Sequence, residues 1–349
     1  MYKRIILIFF LVTFSRPIIL AQDFHFSQFF VLPAFLNPAY IGKFRTDYRI
    51  GLIQRRQWIQ LNTPYVTSGA TAEINFRLGP LKYDLVGVGL SFVNDELGKD
   101  ESGRIFNNQH IIASGAYHKY LDEFLRHRIS GGIQVSYVRK NVNLGNQTFA
   151  NQLDGYKFNI GKPSFENTSL NPQHYANINI GVAYNFKVSQ KFEFETGLSF
   201  FNVGSPKESV SGSDYKLPVR FVWNAMLSFK FSENISLTPN LLYMNQGQAS
   251  DLVAGALVGY HFNHRRKPVL YLGSYYRYQE SIIPTAGFAY NNFYFGISYD
   301  LVNSGPKNMM TDVPALKRQD LGSLEFTLIY NGFLKRAIPG KITIPCGYL

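Results

Sequence analysis

The feature that most constrains the fold is a strict alternation of apolar and polar residues over long segments. In residues 220–232 (RFVWNAMLSFKFS), Trp223 and Phe229 alternate with Asn224 and Ser228. A period of two residues indicates a β-strand with one apolar and one polar face. These segments run for about 9 to 13 residues, longer than most soluble strands and close to a tilted membrane span. Their polar faces are small and rich in amides, which is typical of a barrel lumen.

About 14 such segments occur in the chain, an even number as in bacterial single-chain membrane barrels. The composition agrees, because 16% of the residues are aromatic and such barrels carry aromatic girdles at both interfaces. After the first 21 residues no apolar run is long enough for a transmembrane helix. We therefore predict an all-β fold, a transmembrane antiparallel up-and-down β-barrel of about 14 strands. The predicted strands are 46–57, 65–77, 85–93, 108–120, 127–138, 175–186, 192–202, 219–232, 235–243, 250–262, 268–278, 282–290, 293–301 and 321–330.

The connections between the predicted strands fall into two sets of different length. Those after even-numbered strands are short turns, and the other set includes the long connections 94–107, 139–174, 203–218 and 302–320. Outer-membrane barrels have short periplasmic turns and longer extracellular loops. We therefore expect the N-terminus in the periplasm and residues 139–174 outside the cell. A soluble β-sandwich shows the same alternation but gives no reason for this segregation.

The chain begins with features of an exported protein. Lys3 and Arg4 precede an apolar run, and a cut after Ala21 would remove a signal peptide. The net charge is +12, and about +9 remains without the leader. For an exported protein we interpret this charge as attraction to anionic outer-membrane lipid or an acidic partner, not to nucleic acid. The predicted divisions are a signal peptide (1–21), an N-terminal periplasmic or plug segment (22–45), the outer-membrane barrel (46–330) and a C-terminal tail (331–349).

The stretch QDFHFSQFFVLPAFLNPAYIG, residues 22–42, has neither strand nor helix periodicity. Its phenylalanines would be costly to leave in water, and its backbone groups need partners. Pro33 and Pro38 favour an extended path. Two interpretations stay open, which can both hold: a plug that fills the lumen, or a docking element for a partner protein. The candidate residues are Phe24, His25, Phe26, Ser27, Gln28, Phe29, Asn37 and Pro38.

Three further candidates end the first predicted strand near the expected outer interface. Arg55 and Arg56 are followed by Trp58. They would meet anionic lipopolysaccharide groups, or pair with lumen carboxylates such as Glu193 and Glu195. The basic residues 264–267 form a predicted periplasmic turn, interpreted as a solvated turn or as a partner contact.

The sequence offers little material for catalysis. None of the seven histidines has metal-ligand spacing, and the single Cys346 excludes an internal disulfide framework. The residues that come nearest to a catalytic group of a lipid-modifying enzyme are His174 near Asn171, and Asp95 with Glu96 in a predicted external loop. Nucleotide-binding and hydrolase fingerprints are missing from the sequence. We predict no catalytic, cofactor-binding or metal-binding residues and no cofactor.

Several motifs in order along the chain resemble the PorP/SprF family of the type IX secretion system in Bacteroidota. The N-terminal stretch is the most specific of them. Leu324 and the end of the chain depart from the family pattern, which commonly has a histidine and a Pro-Arg-aromatic ending there. The other motifs are YRIGLIQRRQW (48–58), GVGLSFVNDELG (87–98), YFGISYDL (294–301), GSLEFTLIYN (322–331) and IPCGYL (344–349).

The resemblance implies a non-enzymatic outer-membrane barrel that is an accessory to type IX secretion. It also implies partners, namely secretion components and a large secreted or surface cargo protein, in some relatives a gliding adhesin. The alternative from another class is an outer-membrane porin or substrate transporter, which needs a water-filled lumen. Bulky side chains that are predicted to face the lumen, such as Phe201 and Tyr276, argue against an open pore.

Overall fold

The computed structural model describes residues 25–29, 33–58, 64–77, 83–100, 103–144, 147–155, 157–159, 161–165, 170–208, 216–263, 268–302 and 322–334. The strands in these ranges are β1 (Tyr48–Gln57), β2 (Tyr65–Arg77), β3 (Leu85–Asp100), β4 (Gly103–Tyr120), β5 (His127–Val142), β6 (Leu153–Asp154), β7 (Lys157–Phe158), β8 (Gln173–Lys187), β9 (Phe192–Phe201), β10 (Arg220–Lys230), β11 (Ile235–Gln246), β12 (Ala249–His261), β13 (Val269–Arg277), β14 (Ser281–Tyr290), β15 (Phe293–Val302) and β16 (Ser323–Gly332). The helical pieces are α1 (Pro33–Leu36) and two 3-10 turns, Pro38–Tyr40 and Ala150–Gln152.

Fourteen of these strands form one closed antiparallel barrel, which confirms the predicted fold class. Each strand pairs with its neighbour in the chain, and β8 follows β5 in the sheet because β6 and β7 form a separate small hairpin. The barrel closes between β1 and β16, where Tyr48 lies opposite Gly332 and Gln57 opposite Ser323. Closure leaves no strand edge in the ring, as a membrane-embedded sheet requires. Among the described residues no helix is long and apolar enough to cross a membrane.

The two faces of the wall follow the alternation of the sequence. On β8, for example, Ile178 and Ile180 are exposed on the outside, whereas Asn177 and Asn179 are buried inside. The wall is therefore apolar towards the lipid and polar towards the lumen. One lumen prediction was wrong by a single position, because Tyr276 is exposed on the outside and its neighbour Tyr275 is buried inside. Phe201 does lie in the lumen.

The strands β3, β4 and β5 are longer than predicted. The predicted loop 94–107 belongs almost entirely to β3 and β4, whose ladder continues to the pair Asp100 and Gly103. Asp95 and Glu96 therefore lie in a strand and not in an external loop. Their segment is polar on both faces, so it lacks the alternation from which a strand is recognised. A membrane strand needs only about 9 to 11 residues, so this hairpin extends beyond the hydrocarbon layer.

Three long connections lie at one end of the barrel, between β5 and β8, β9 and β10, and β15 and β16. Short turns join β3 to β4, β11 to β12 and β13 to β14 at the same end. Some residues predicted to be loop at this end therefore belong to strands. The first long connection folds around Gln152, whose side chain bonds to Phe149 N (3.0 Å) and Lys162 O (2.8 Å).

Candidate functional site in the barrel lumen

The N-terminal segment (described residues 25–29 and 33–47) lies among the inward-facing side chains of the barrel. Ala34, Asn37, Ala39 and Ile41 are fully buried. Leu36, Ala39 and Tyr40 join an apolar cluster with lumen side chains that include Phe201, Val222, Leu242 and Tyr275.

Local sequence explains the shape of this segment. Pro33 begins α1 and Pro38 begins the following 3-10 turn, positions where the missing N–H of proline costs nothing. Asn37 caps that turn, because its side-chain oxygen accepts a hydrogen bond from Ala39 N at 2.9 Å. Gly42 has a φ of 75°, which suits glycine, at the point where the chain turns towards β1.

Glycines on the inner wall leave room for the segment. A Cβ atom on Gly132 of β5 would overlap the backbone of Pro38, and one on Gly87 of β3 would overlap the carbonyl of Ile41. On β8, a Cβ atom on Gly181 would overlap the side chain of Asn37. Glycine at these positions therefore permits close approach of the two backbones.

Polar side chains of the barrel wall form hydrogen bonds with backbone groups of the segment, because the segment does not pair with a strand. Gln134 donates to Ala34 O at 3.1 Å, and Ser199 donates to Leu36 O at 2.8 Å. The imidazole of His118 lies 2.8 Å from Ile41 O. In return, Asn37 Nδ2 donates to the wall carbonyls of Val182 (3.0 Å) and Leu198 (3.1 Å). These buried bonds fix the position of the segment in the lumen.

A group of buried charges, here called the Arg55 cluster (Arg55, Arg277, Asp300 and Glu325), holds the first part of the segment. Arg55 lies 2.9 Å from Asp300 and 3.7 Å from Glu325, and Arg277 lies 3.2 Å from Asp300. The Glu325 carboxylate accepts the backbone N–H groups of Ser27 (2.8 Å) and Gln28 (2.6 Å). Ser27 Oγ also donates to Asp300 at 2.6 Å and accepts from Arg55 at 2.8 Å.

A second set of charges contacts the end of the segment nearest β1. Lys43 forms an ion pair with Glu195, which also lies 3.9 Å from Arg128. The carboxylate of Glu73 accepts Gly42 N at 3.0 Å and pairs with an arginine of β1. Carboxylates of the barrel wall therefore bind the segment near both of its ends. These charge-assisted contacts oppose displacement of the segment from the lumen.

The structure brings most of the predicted residues together in the lumen. Phe26 packs edge-on against Phe35 with ring centroids 6.4 Å apart, and Phe29 packs against Tyr275 at 5.9 Å. Phe24 lies outside the described residues, as do the leader, residues 264–267 and Cys346.

Arg55, Arg56 and Trp58 do not form one site. Arg55 points into the lumen, where its carboxylate partners are Asp300 and Glu325, and not the predicted Glu193 or Glu195. Arg56, the next residue along the strand, is exposed on the outer wall. Trp58 follows β1 with a φ of 57° and contacts the ring of Tyr65 at 6.5 Å.

Sequence reasoning missed the wall residues that receive the segment. Glu325, Glu73, Gln134 and His118 are each polar residues on the inward face of an alternating strand. The apolar–polar alternation of their strands predicts that these side chains face the lumen. It does not predict which residues they contact there.

Among the described residues, the cavities beside the segment are small. One cavity of about 110 Å³, bordered by Phe29, Lys43 and Asn240, has room for a few water molecules. The described part of the chain contains no group of three or more His, Cys, Asp or Glu that would hold a metal ion. The arrangement is thus suited to holding a polypeptide segment.

Comparisons with known proteins identify relatives of this barrel. The family model "Type IX secretion system membrane protein PorP/SprF" matches residues 19–312. Among curated proteins no relative matches the sequence.

Solved structures with a similar fold include the Pseudomonas putida toluene transporter TodX, at 9% identity and a TM-score of 0.53, over 89% of this chain and 95% of that one. A Pseudomonas aeruginosa FadL homologue is also similar, at 9% identity and a TM-score of 0.49, over 84% and 92% of the two chains. At such identity the likeness to TodX shows the fold alone.

Proposed function

Since the chain belongs to the PorP/SprF family of type IX secretion system membrane proteins, we propose that it is a non-enzymatic accessory barrel of this system. In this proposal it binds secretion-machinery proteins or a large cargo protein, such as a gliding adhesin, and supports export of the cargo or its attachment to the cell surface. The N-terminus lies in the periplasm and the long connections face outwards.

The observation that carries the proposal is the occupied lumen. The segment is held by side chains from strands around the ring, among them Gln134 of β5, Ser199 of β9 and Glu325 of β16. The described part of the segment fills lumen space that a diffusion pore would need, which supports a function that rests on the surfaces of the barrel. The plug role predicted for residues 22–45 is part of this proposal, and a conductance measurement tests it.

A substrate transporter is the second candidate. The TodX structure, named a toluene transporter, shares the fold, and a cavity of about 110 Å³ remains beside the segment. In that case the segment has to move aside during transport, and the contacts of the Arg55 cluster have to break.

Affinity purification tests the first candidate. A tagged chain is isolated from native outer membrane in mild detergent, and co-purified proteins are identified by mass spectrometry. We expect type IX secretion components or one large surface protein, enriched over an unrelated tagged outer-membrane barrel from the same cells. If no protein is enriched while the purified barrel transports a small apolar solute into liposomes, the transporter replaces the accessory function.

A further inference from the structure

The outer wall of the barrel is concave across the strands β1 to β3 and β13 to β16. The groove has a volume of about 790 Å³, which is in the range of small-molecule sites. Apolar side chains that point away from the lumen line it, among them Leu52, Phe92, Phe288 and Phe326. This part of the wall therefore has a defined shape for a molecule in the surrounding hydrocarbon layer.

Cross-strand pairing shows how the groove is built. Ala70 of β2 lies opposite Leu52 of β1 and also opposite Phe92 of β3. On the other side, Ala286 of β14 lies opposite Ile297 of β15. A small side chain beside large ones leaves a depression, and the two alanines lie on either side of β1 and β16.

The chemistry of the groove changes from apolar to polar along β1. Leu52 is followed on the same outward face by Gln54 and then by Arg56, and both are exposed. Gln54 lies opposite Ser68, and both line the groove. Amide, hydroxyl and guanidinium groups on the lipid-facing side are tolerated at the headgroup level and not at mid-bilayer.

The polar outward positions continue from Ser68 onto the neighbouring strands. Ser68 lies opposite Asn94, which lies opposite Gln109, which lies opposite Arg139. Gln109 Nε2 donates to Asn94 Oδ1 at 3.2 Å. This polar row continues round the wall, but the groove is next to only its Gln54–Ser68 end.

We propose that the groove binds one phosphorylated, multiply acylated glycolipid of the outer leaflet, a molecule of the lipid A type. Its acyl chains lie along Leu52 and Phe326, its amide and hydroxyl groups contact Gln54 and Ser68, and a phosphate pairs with Arg56. Arg56 lies just beyond the groove, two residues after the lining residue Gln54 on the same outward face, and selects an anionic headgroup because guanidinium binds phosphate well. That the lipid belongs to the outer leaflet rests on the orientation proposed above. Arg56 lies close to the β1–β2 connection, at the end of the barrel that faces outwards in that orientation.

Native mass spectrometry of the purified full-length barrel tests this site. The wild type, delipidated by detergent exchange, is mixed with lipid A, with phosphatidylglycerol or with phosphatidylethanolamine, and bound lipid is counted. We expect one lipid A per barrel, retained at least about tenfold more than either phospholipid. Arg56→Glu, which reverses the charge, and Ala70→Trp, which fills the groove, should each lower this retention about tenfold.

Two variants outside the groove serve as matched controls. Arg139→Glu reverses an exposed outward arginine in the same polar row, and Ala113→Trp enlarges an exposed outward alanine on β4. Both should retain lipid A like the wild type, and the faster migration of unheated barrel in gels verifies that every variant is folded. Equal retention in groove and control variants would overturn the proposal. So would preferential retention of a phospholipid, or a dimer that Ala70→Trp dissociates, since the occupant would then be a different lipid or a second copy.

Discussion

At the scale of single residues, Glu325 shows how the wall holds the N-terminal segment. Its carboxylate accepts two consecutive backbone N–H groups, from Ser27 and Gln28, and lies 3.7 Å from the guanidinium of Arg55. A fully buried carboxylate is tolerated only while such partners are present. The residue therefore couples the position of the segment to the charge balance of the lumen.

We expect Glu325→Ala to lower the free energy of unfolding by about 3–5 kcal/mol, because Arg55 then loses a partner within a buried charge network. Urea titration of the barrel in detergent micelles, followed by tryptophan fluorescence, measures this change. Glu233→Ala, in an exposed turn, is the control and should change stability by less than about 0.5 kcal/mol. Equal stability of the two variants would show that the Arg55 cluster does not hold the segment.

Sequence alone predicted Ser27 and Gln28 as candidates but not their partner. Glu325 is 298 residues away from Ser27 along the chain, and the period of a strand determines only which face a side chain occupies. The predicted partners of Arg55 were wrong for the same reason. Glu193 and Glu195 share the polar face of a strand, but the closed ladder places β16 next to β1 and β15 beyond it, whereas β9 lies on the far side of the ring.

At the scale of elements, the fold was predictable because each strand carries its own alternation. The closed ring confirms the count of fourteen, and most predicted ends agree with the structure within a few residues. The exceptions are strand ends outside the hydrocarbon layer, such as residues 94–100 of β3. There the inward face is buried among polar partners, since Asp95 accepts a hydrogen bond from Thr67, and the outward face lies beyond the hydrocarbon layer. Neither face needs apolar residues, so the alternation disappears although the ladder continues.

The lipid-facing and lumen-facing positions should respond differently to charge. Leu272 lies near the middle of β13 and is exposed on the outside, whereas Ser228 of β10 faces the lumen. A basic residue at mid-bilayer costs about 2–4 kcal/mol, so Leu272→Arg should strongly reduce the yield of folded barrel in the outer membrane. Ser228→Arg should leave most of it. Similar yields of the two variants would contradict the assignment of the faces.

The orientation of the connections is tested with inserted epitope tags. A tag placed between Asp154 and Lys157, in the long connection, should bind antibody on intact cells. A tag between Glu233 and Asn234, in a turn at the opposite end, should bind it only after the outer membrane is permeabilised. Reversed labelling would place the N-terminus outside the cell.

At the scale of the whole molecule, the chain forms a closed barrel whose lumen contains its own N-terminal segment. Lumen glycines, wall carboxylates and apolar side chains all match one segment, including Gly132, Glu73 and Val222. These contacts support the proposal that the barrel acts through surfaces presented to other proteins. This interpretation predicts that the lumen opens when the segment is removed.

Conductance of the barrel without its segment tests this central claim most directly. Deletion of residues 24–36 removes no barrel strand, so the variant should fold, and in planar bilayers it should conduct far more current than the wild type. An equal-length deletion of residues 150–162, in the long connection, is the control and should leave the conductance low. If the deleted segment served only for docking, conductance would stay unchanged while co-purified secretion components decrease. A folded deletion variant with the conductance and the partners of the wild type would contradict both roles of the segment.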